Sequence, residues 1–390
     1  MGTAWYAMQA PAHGSSFEQV TRPSPCRNGQ GVFCFWGAVV RTKEIVLLLF
    51  LAILLTAGPT VPARAAGNGA RLAGDVSDEV LRSAAHRAVE WLRTQQHDDG
   101  GFGTSDKTSP GLTADVAYAL ALMGESITGT AWTTQAGKTP IDALRATAVP
   151  GYATADPGQA GKVARAVALA CAGPHKFGGV DLIATINGFY QPETGLYHSS
   201  YLFRHTFAIE GLARSGDAVP QPAYDALLAN QIADGVWFWS VGAATSDVDA
   251  TGRILQVLAK LGGVKADQAY GKAAAYLAAQ QLPGGGWHTG YTPDPENPPS
   301  ANANSTALAV GGLAAAGYDP QSTQFTKNGK GALETLLSFQ EPSGAFVYIR
   351  EPGKEDYRIV ATTDALIALA SLVGVPNECK SLYLPLILVG

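Results

Sequence analysis

The stretch QLPGGGW, Gln281 to Trp287, decides the fold, because its glutamine, glycine and aromatic return at one spacing along most of the chain. Gln96, Gly100 and Phe102 form one copy, and Gln191, Gly195 and Tyr197 another. Gln231, Gly235 and Trp237 come next, then the stretch itself, then Gln340, Gly344 and Phe346. The aromatic stands six residues after the glutamine every time. A gap of two periods separates the first two copies, and Gly151-Tyr152 lies near its middle without the glutamine, which makes six units. Read from Gly100 to Gly344 the period is about 49 residues, in the range of two-helix repeats.

Each unit also closes alike, with a run of alanines and aliphatics ending on Gly124, Gly173, Gly216, Gly262, Gly317 or Gly374. Glycine takes the left-handed backbone of a helix C-cap without steric cost, so these runs read as buried helices stopped by their caps. The unit is then helix, Gly-x-aromatic turn, helix. Ser77 is the expected N-cap of the first helix, with Asp78 and Glu79 on its first turn. Such hairpins cannot bury an apolar face alone; they must stack, and a ring that closes leaves no exposed end. The expected fold class is therefore all-α, an α6/α6 toroid built as a double ring of about twelve helices. First helices carry charge, as at Arg82, Arg87, Glu90 and Arg93, and second helices are rich in Ala and Gly, so the second helices belong inside.

The flanks divide the chain further. Residues 1–40 lack periodicity and read as a disordered or mis-started leader. Arg41 and Lys43 precede the apolar run Ile45 to Ala57, followed by Ala63-Arg64-Ala65, the pattern of a secretory signal peptide at 41–65. That run is shorter than the roughly 20 residues of a membrane span; the expectation is a secreted or cell-surface protein, with a single-pass membrane anchor as the alternative. The toroid occupies residues 75–376 and an apolar, strand-like tail 377–390.

With a net charge of −5 the chain offers no basic surface for nucleic acid. Past the leader only Cys171 and Cys379 remain, which is no disulfide framework. Cys171, in the run VALACAG, reads as a small buried hydrophobe, with a pair to Cys379 left open.

Five copies of Gln-x-x-x-Gly-x-aromatic resemble the repeat of the terpenoid cyclase and protein prenyltransferase superfamily, over residues 75 to 376. The resemblance implies that the Gln and aromatic tie neighbouring outer helices together and have no catalytic role. Aligned eleven residues before the closing glycines stand Thr113, Lys162, His205, Thr251, Thr306 and Thr363, at the entrances of the inner helices, where N-capping is the simple reading. Beside them lie Asp115, Asp247, Asp249 and Asp364. Asp247-Val248-Asp249-Ala250-Thr251 resembles the Asp-x-Asp-Asp-Thr motif of class II terpenoid cyclases, with Ala250 in place of the last aspartate. That resemblance makes Asp249, assisted by Asp247, the acid that protonates an alkene or epoxide, which needs a carboxyl kept neutral by its surroundings.

Two features oppose a cyclase: the inner helices are poor in the aromatics that stabilise a carbocation, and class II cyclases of this superfamily use two helical domains. No Asp-x-Cys pair and His suits the zinc of the prenyltransferases, and neither metal nor cofactor is called for. Glu193, Glu210 and Asp294 are too scattered to name a carboxylate pair. The chain also resembles secreted relatives of transcobalamin, a resemblance that implies a corrinoid ligand. The leading expectation is a toroid that binds a small molecule, terpenoid or corrinoid, or a partner at the barrel mouth without catalysis. Asp247, Asp249, Thr251, His205, Trp237, Trp239, Trp287 and Tyr291 are the residues placed nearest that ligand. A degenerate class II cyclase and a structural surface module are the alternatives.

Overall fold

A computed structural model describes residues 76–243, 247–262, 264–289, 300–350, 357–374, 379 and 388–389. The chain divides into Met1–Val61 and Pro62–Gly390, and every described residue belongs to the second unit. The leader, the signal segment at 41–65, Tyr291 and most of the tail lie outside the described residues. Among the described residues no helix is long and apolar enough to cross a membrane.

Twelve helices alternate between two rings. The outer ones are α1 (Asp78–Thr94), α3 (Pro140–Thr147), α5 (Leu182–Gly188), α7 (Gln221–Ala229), α9 (Val264–Gln280) and α11 (Ala332–Ser338). The inner ones are α2 (Pro110–Leu122), α4 (Pro157–Leu169), α6 (Leu202–Ser215), α8 (Val248–Leu261), α10 (Ala303–Ala315) and α12 (Arg358–Val373). Each inner helix packs on the next, and α12 packs on both α2 and α1, which closes the ring. Inner helices approach closely through glycine: a Cβ on Gly161 of α4 would meet the Phe207 carbonyl oxygen at 2.0 Å, and one on Gly252 of α8 that of Leu308 at 2.3 Å. The glycines that close the six units all have positive φ, as a helix stop requires.

The repeated glutamine is the joint between units. In four of the five copies its Nε2 donates to the carbonyl of the turn glycine four residues on and to a carbonyl of the next unit: Gln96 to Trp132 at 3.0 Å, Gln231 to Ala269 at 2.9 Å and Gln281 to Phe325 at 2.7 Å. Gln340 reaches Ala84 of α1 at 2.8 Å, so the sixth turn is sealed to the first helix. The turn glycine at that seam, Gly344, has φ +98° and lies against the Arg87 carbonyl, where a Cβ would stand 2.2 Å from the oxygen.

Unit two departs from the pattern. In place of the Gly-x-aromatic turn, Ala148–Tyr152 forms a π-helical turn and Asp156 caps α4 through the N–H groups of Gly158 and Gln159. Asn302 caps α10, which starts at Ala303.

Outside the rings, β1 (Val219–Pro220) pairs in parallel with β4 (Leu388–Val389), and β2 (Thr326–Lys327) with β3 (Lys330–Gly331). The reading of Cys171 as an inert buried hydrophobe is corrected. It forms a disulfide with Cys379 at a Cα separation of 5.6 Å, because the end of α4 brings it beside the tail.

Candidate functional site

The threonines at the inner-helix entrances are not caps. Ser109, Asp247 and Asn302 cap their helices, and the threonine lies one turn further in, where its hydroxyl accepts the N–H of the turn aromatic. Phe102 donates to Thr113 at 3.0 Å, Trp237 to Thr251 at 3.1 Å and Trp287 to Thr306 at 3.1 Å. In unit six the register moves by one residue, and Thr362 rather than Thr363 holds Phe346 at 2.8 Å.

In unit three a histidine does this work. His205 Nδ1 accepts the Tyr197 N–H at 3.1 Å, so the ring proton sits on Nε2 and is donated to the Ala223 carbonyl of the next unit at 3.0 Å. Burial pushes the imidazole down to about 4 and keeps it neutral. Trp237 and Trp287 are wholly buried, each donating its indole N–H to a backbone carbonyl at 2.7 Å. Thr251, His205, Trp237 and Trp287 were expected at the ligand; their polar atoms are instead spent on backbone, and they belong to the frame.

Asp247 and Asp249 lie at the entrance of α8, Asp247 as its N-cap and Asp249 on its first turn, and both are buried. Asp247 caps α8, its Oδ1 accepting the Ala250 N–H at 2.6 Å. Burial raises its carboxyl above the ordinary range, and the Ala250 amide and the Trp239 side chain offset part of that rise. Trp239 is half-buried and packs on Phe203 at a centroid distance of 4.1 Å. Asp249 is 7% exposed, and its Oδ1 has no hydrogen-bond partner. Burial first, then the negative charges of Asp247 and Asp364, push it up to about 7, with the Ser305 hydroxyl pulling back only in part. A carboxyl in that state is largely neutral below pH 7 and has a proton to give.

Beneath Asp249 all six inner helices contribute to one polar cluster, which can only meet at the hub of the ring. Asp115 of α2 accepts Lys162 at 2.7 Å and Arg165 at 2.5 Å, both from α4. Arg165, fully buried, also pairs with Glu210 of α6 at 2.5 Å and lies between the rings of Tyr118 and Phe207, 4.2 and 4.7 Å from their centroids. Tyr118 donates to Glu210 at 2.7 Å. On the other side Arg253 of α8 meets Asp364 of α12 at 3.5 Å, and Asn304 of α10 donates to the same carboxylate at 2.8 Å. Burial alone would raise Glu210, but Arg165, Arg253 and Arg214 outweigh it and hold it at about 2. The hub is thus made of fixed charges, and Glu210, read from sequence as a scattered carboxylate, is one of its two most buried members. Among the described residues no group of three or more His, Cys, Asp or Glu is placed to hold a metal ion.

The model of the family described as "Prenyltransferase alpha-alpha toroid domain" matches residues 68–172 and 253–380. The chain belongs to this family. A curated relative, drimenyl diphosphate synthase of Streptomyces showdoensis, is 26% identical over 201 residues, which is 50% of this chain and 34% of the relative. This toroid chain thus spans about a third of that relative's length. Among solved structures it resembles the type II terpene cyclase MstE from Scytonema, at 13% identity and a TM-score of 0.52, over 76% of this chain and 99% of that one. It also resembles a glycosyl hydrolase family 88 protein from Bacteroides vulgatus at 14% identity and 0.53, over 77% and 100%. At such identities the likeness establishes the toroid and nothing finer. MstE does correct one expectation: a type II terpene cyclase can have the length of a single toroid, so the number of helical domains does not speak against one.

Sequence reading named Asp115 and Glu210 singly and missed that they belong to layers, which carried a signal. Counted back from the closing glycines, Asp115, Phe207 and Arg253 share the ninth place, and Tyr118, Glu210 and Gln256 the sixth. Those places are about one helical turn apart on one face. Aligning a single position at the helix entrances passed over both layers.

Proposed function

We propose that the protein holds a small molecule of terpenoid type at the mouth of the toroid, where Asp249 serves it as a neutral carboxylic acid. The observation that carries this reading is Asp249 itself: buried, raised to about 7 and with one oxygen unpartnered. A buried polar atom without a partner is costly, and a ligand that supplies the missing hydrogen bond recovers that cost. Membership of a toroid family that includes a type II terpene cyclase among its structural neighbours supports the ligand class.

The charged hub favours holding over cyclising. A polyene cascade moves positive charge through a cavity lined by aromatic faces. Here the barrel interior carries the ion pairs of Arg165, Lys162 and Arg253 with Glu210, Asp115 and Asp364, a charged surrounding in place of aromatic faces. A second reading, class II protonation of a double bond by Asp249, is favoured by the position of the aspartate and by the drimenyl diphosphate synthase match. It confines the substrate's reacting end to the mouth.

The test is to incubate purified protein with a linear sesquiterpenyl diphosphate and with geranylgeranyl dihydroxybenzoate, the substrate seen bound to an MstE variant. Binding is followed by calorimetry and turnover by mass spectrometry. Binding without product, weakened in Asp249→Asn, is the expected result. A cyclic product lost in Asp249→Asn establishes the second reading, and no binding to either compound overturns both.

Export is part of the same proposal. It is supported by the Arg41 to Ala65 segment and by the Cys171–Cys379 bond, since disulfides persist in oxidising compartments. Mass analysis of the protein from culture medium and from membranes separates a cleaved signal from an anchor; recovery only from the cytoplasm contradicts both.

A further inference from the structure

At the opposite end of the barrel, between the C-terminal turns of the inner helices, lies a cavity of about 240 Å³ that the mouth does not use. Its walls come from α2, α6, α8, α10 and α12. Leu122, Ile367 and Ala370 give it apolar surface, and Arg214, Glu210 and Gln256 give it polar groups. At roughly 30 Å³ per water the volume equals that of about eight waters, so it suits a compact molecule and not a chain.

Arg214 gives the cavity its chemistry. Its Nη2 donates to the Tyr118 hydroxyl at 2.5 Å, and its Nε is buried with no hydrogen-bond partner. Among the described residues no carboxylate lies within ion-pair distance of it. Glu210, the nearby acid, is already held by Arg165 at 2.5 Å and by Tyr118 at 2.7 Å. A guanidinium in a half-closed, low-dielectric wall with part of its donor fork unspent is a site for an oxyanion, and a planar carboxylate meets the fork with two bonds. Leu122, Ile367 and Ala370 in the same lining ask for carbon elsewhere on the molecule.

We propose that this cavity is a second binding site, for a small carboxylate with a compact apolar body, held by Arg214 at the far end of the toroid from Asp249. It does not depend on the reading of the mouth. Benzoate is the probe, followed by calorimetry and by the chemical shifts of the methyl groups of Leu122 and Ile367. Benzoate is expected to bind and to shift those methyls, with benzyl alcohol and inorganic phosphate each weaker by at least about tenfold, since each lacks one half of the recognition.

Arg214→Gln is expected to weaken benzoate by about tenfold or more, while Arg214→Lys, which keeps the charge and loses the fork, falls between. Ser371→Phe, at an exposed position on the cavity wall, is expected to abolish binding without touching the hub, and serves if the Arg214 variants fail to fold. Asp249→Asn is expected to leave benzoate affinity unchanged. The proposal is overturned if benzoate does not bind, if phosphate or benzyl alcohol binds as well as benzoate, if Ser371→Phe binds normally, or if Asp249→Asn removes binding.

Discussion

Asp249 and Glu210 are buried carboxyls in one barrel, yet they are driven in opposite directions. Burial raises both; Glu210 has three arginines around it, whereas Asp249 has two more aspartates. The sign of the neighbouring charge therefore decides which acid keeps its proton at neutral pH. His205 is a different case, a titratable group whose proton is committed to the frame. Replacing it by Ala leaves the Tyr197 N–H without a partner in the interior and takes from the Ala223 carbonyl its bond across the units, at a cost of roughly 1–3 kcal/mol for the unpartnered group. The measurement is urea unfolding at pH 7, and a His205→Ala variant as stable as the parent would show the joint to be ornamental. Asp249 could be singled out from the sequence because its motif lies in one stretch. The Arg165–Glu210 pair was not, because its members belong to different helices and meet only when the ring is built.

The helix is the scale at which the sequence was most informative, and the reason is periodicity. The Gln-to-aromatic spacing placed five of the six turns, and the closing glycines placed all six helix stops, each at positive φ. The unit without the glutamine is also the one whose turn is π-helical, so the irregularity in sequence and in backbone coincide. What the repeat could not give was the exact entrance of each inner helix, since Asn302 or Asp247 can cap as well as a threonine. The seam tests the ring. Gly344 must adopt φ +98° beside the Arg87 carbonyl, so Gly344→Ala is expected to cost more than about 1 kcal/mol and to loosen α1 first. Hydrogen exchange reads this directly: amides of α1 should exchange faster in the variant, with those of α8, on the far side of the ring, unchanged. Uniform loss of protection in both helices would show that the seam has no local role.

For the molecule as a whole, the tail and the hub set how stability depends on surroundings. The Cys171–Cys379 bond spans 208 residues, and in the chain-entropy account a loop of that size is worth about 5 kcal/mol. Paired Cys171→Ser and Cys379→Ser substitutions are expected to lower Tm, and reducing agent should lower the parent to the same value; a parent insensitive to reduction would contradict the bond.

Against pH the two carboxyls act at opposite ends. Glu210, held down at about 2, contributes stability that is fully present above its ordinary value and is lost as pH falls toward 2. Asp249, raised to about 7, contributes stability that is fully present below its ordinary value of 3.8 and is lost as pH rises through 7. Asp249→Asn should therefore flatten the decline between pH 4 and 7 and leave the acid limb in place.

The central claim is that the mouth of this closed ring presents a carboxyl that keeps its proton near neutrality, above a hub whose own charges are paired. The most direct test is a ¹³C titration of the Asp249 carboxyl carbon, assigned by its disappearance in Asp249→Asn. The account predicts a midpoint near 7, and a midpoint near the ordinary 3.8 would contradict it.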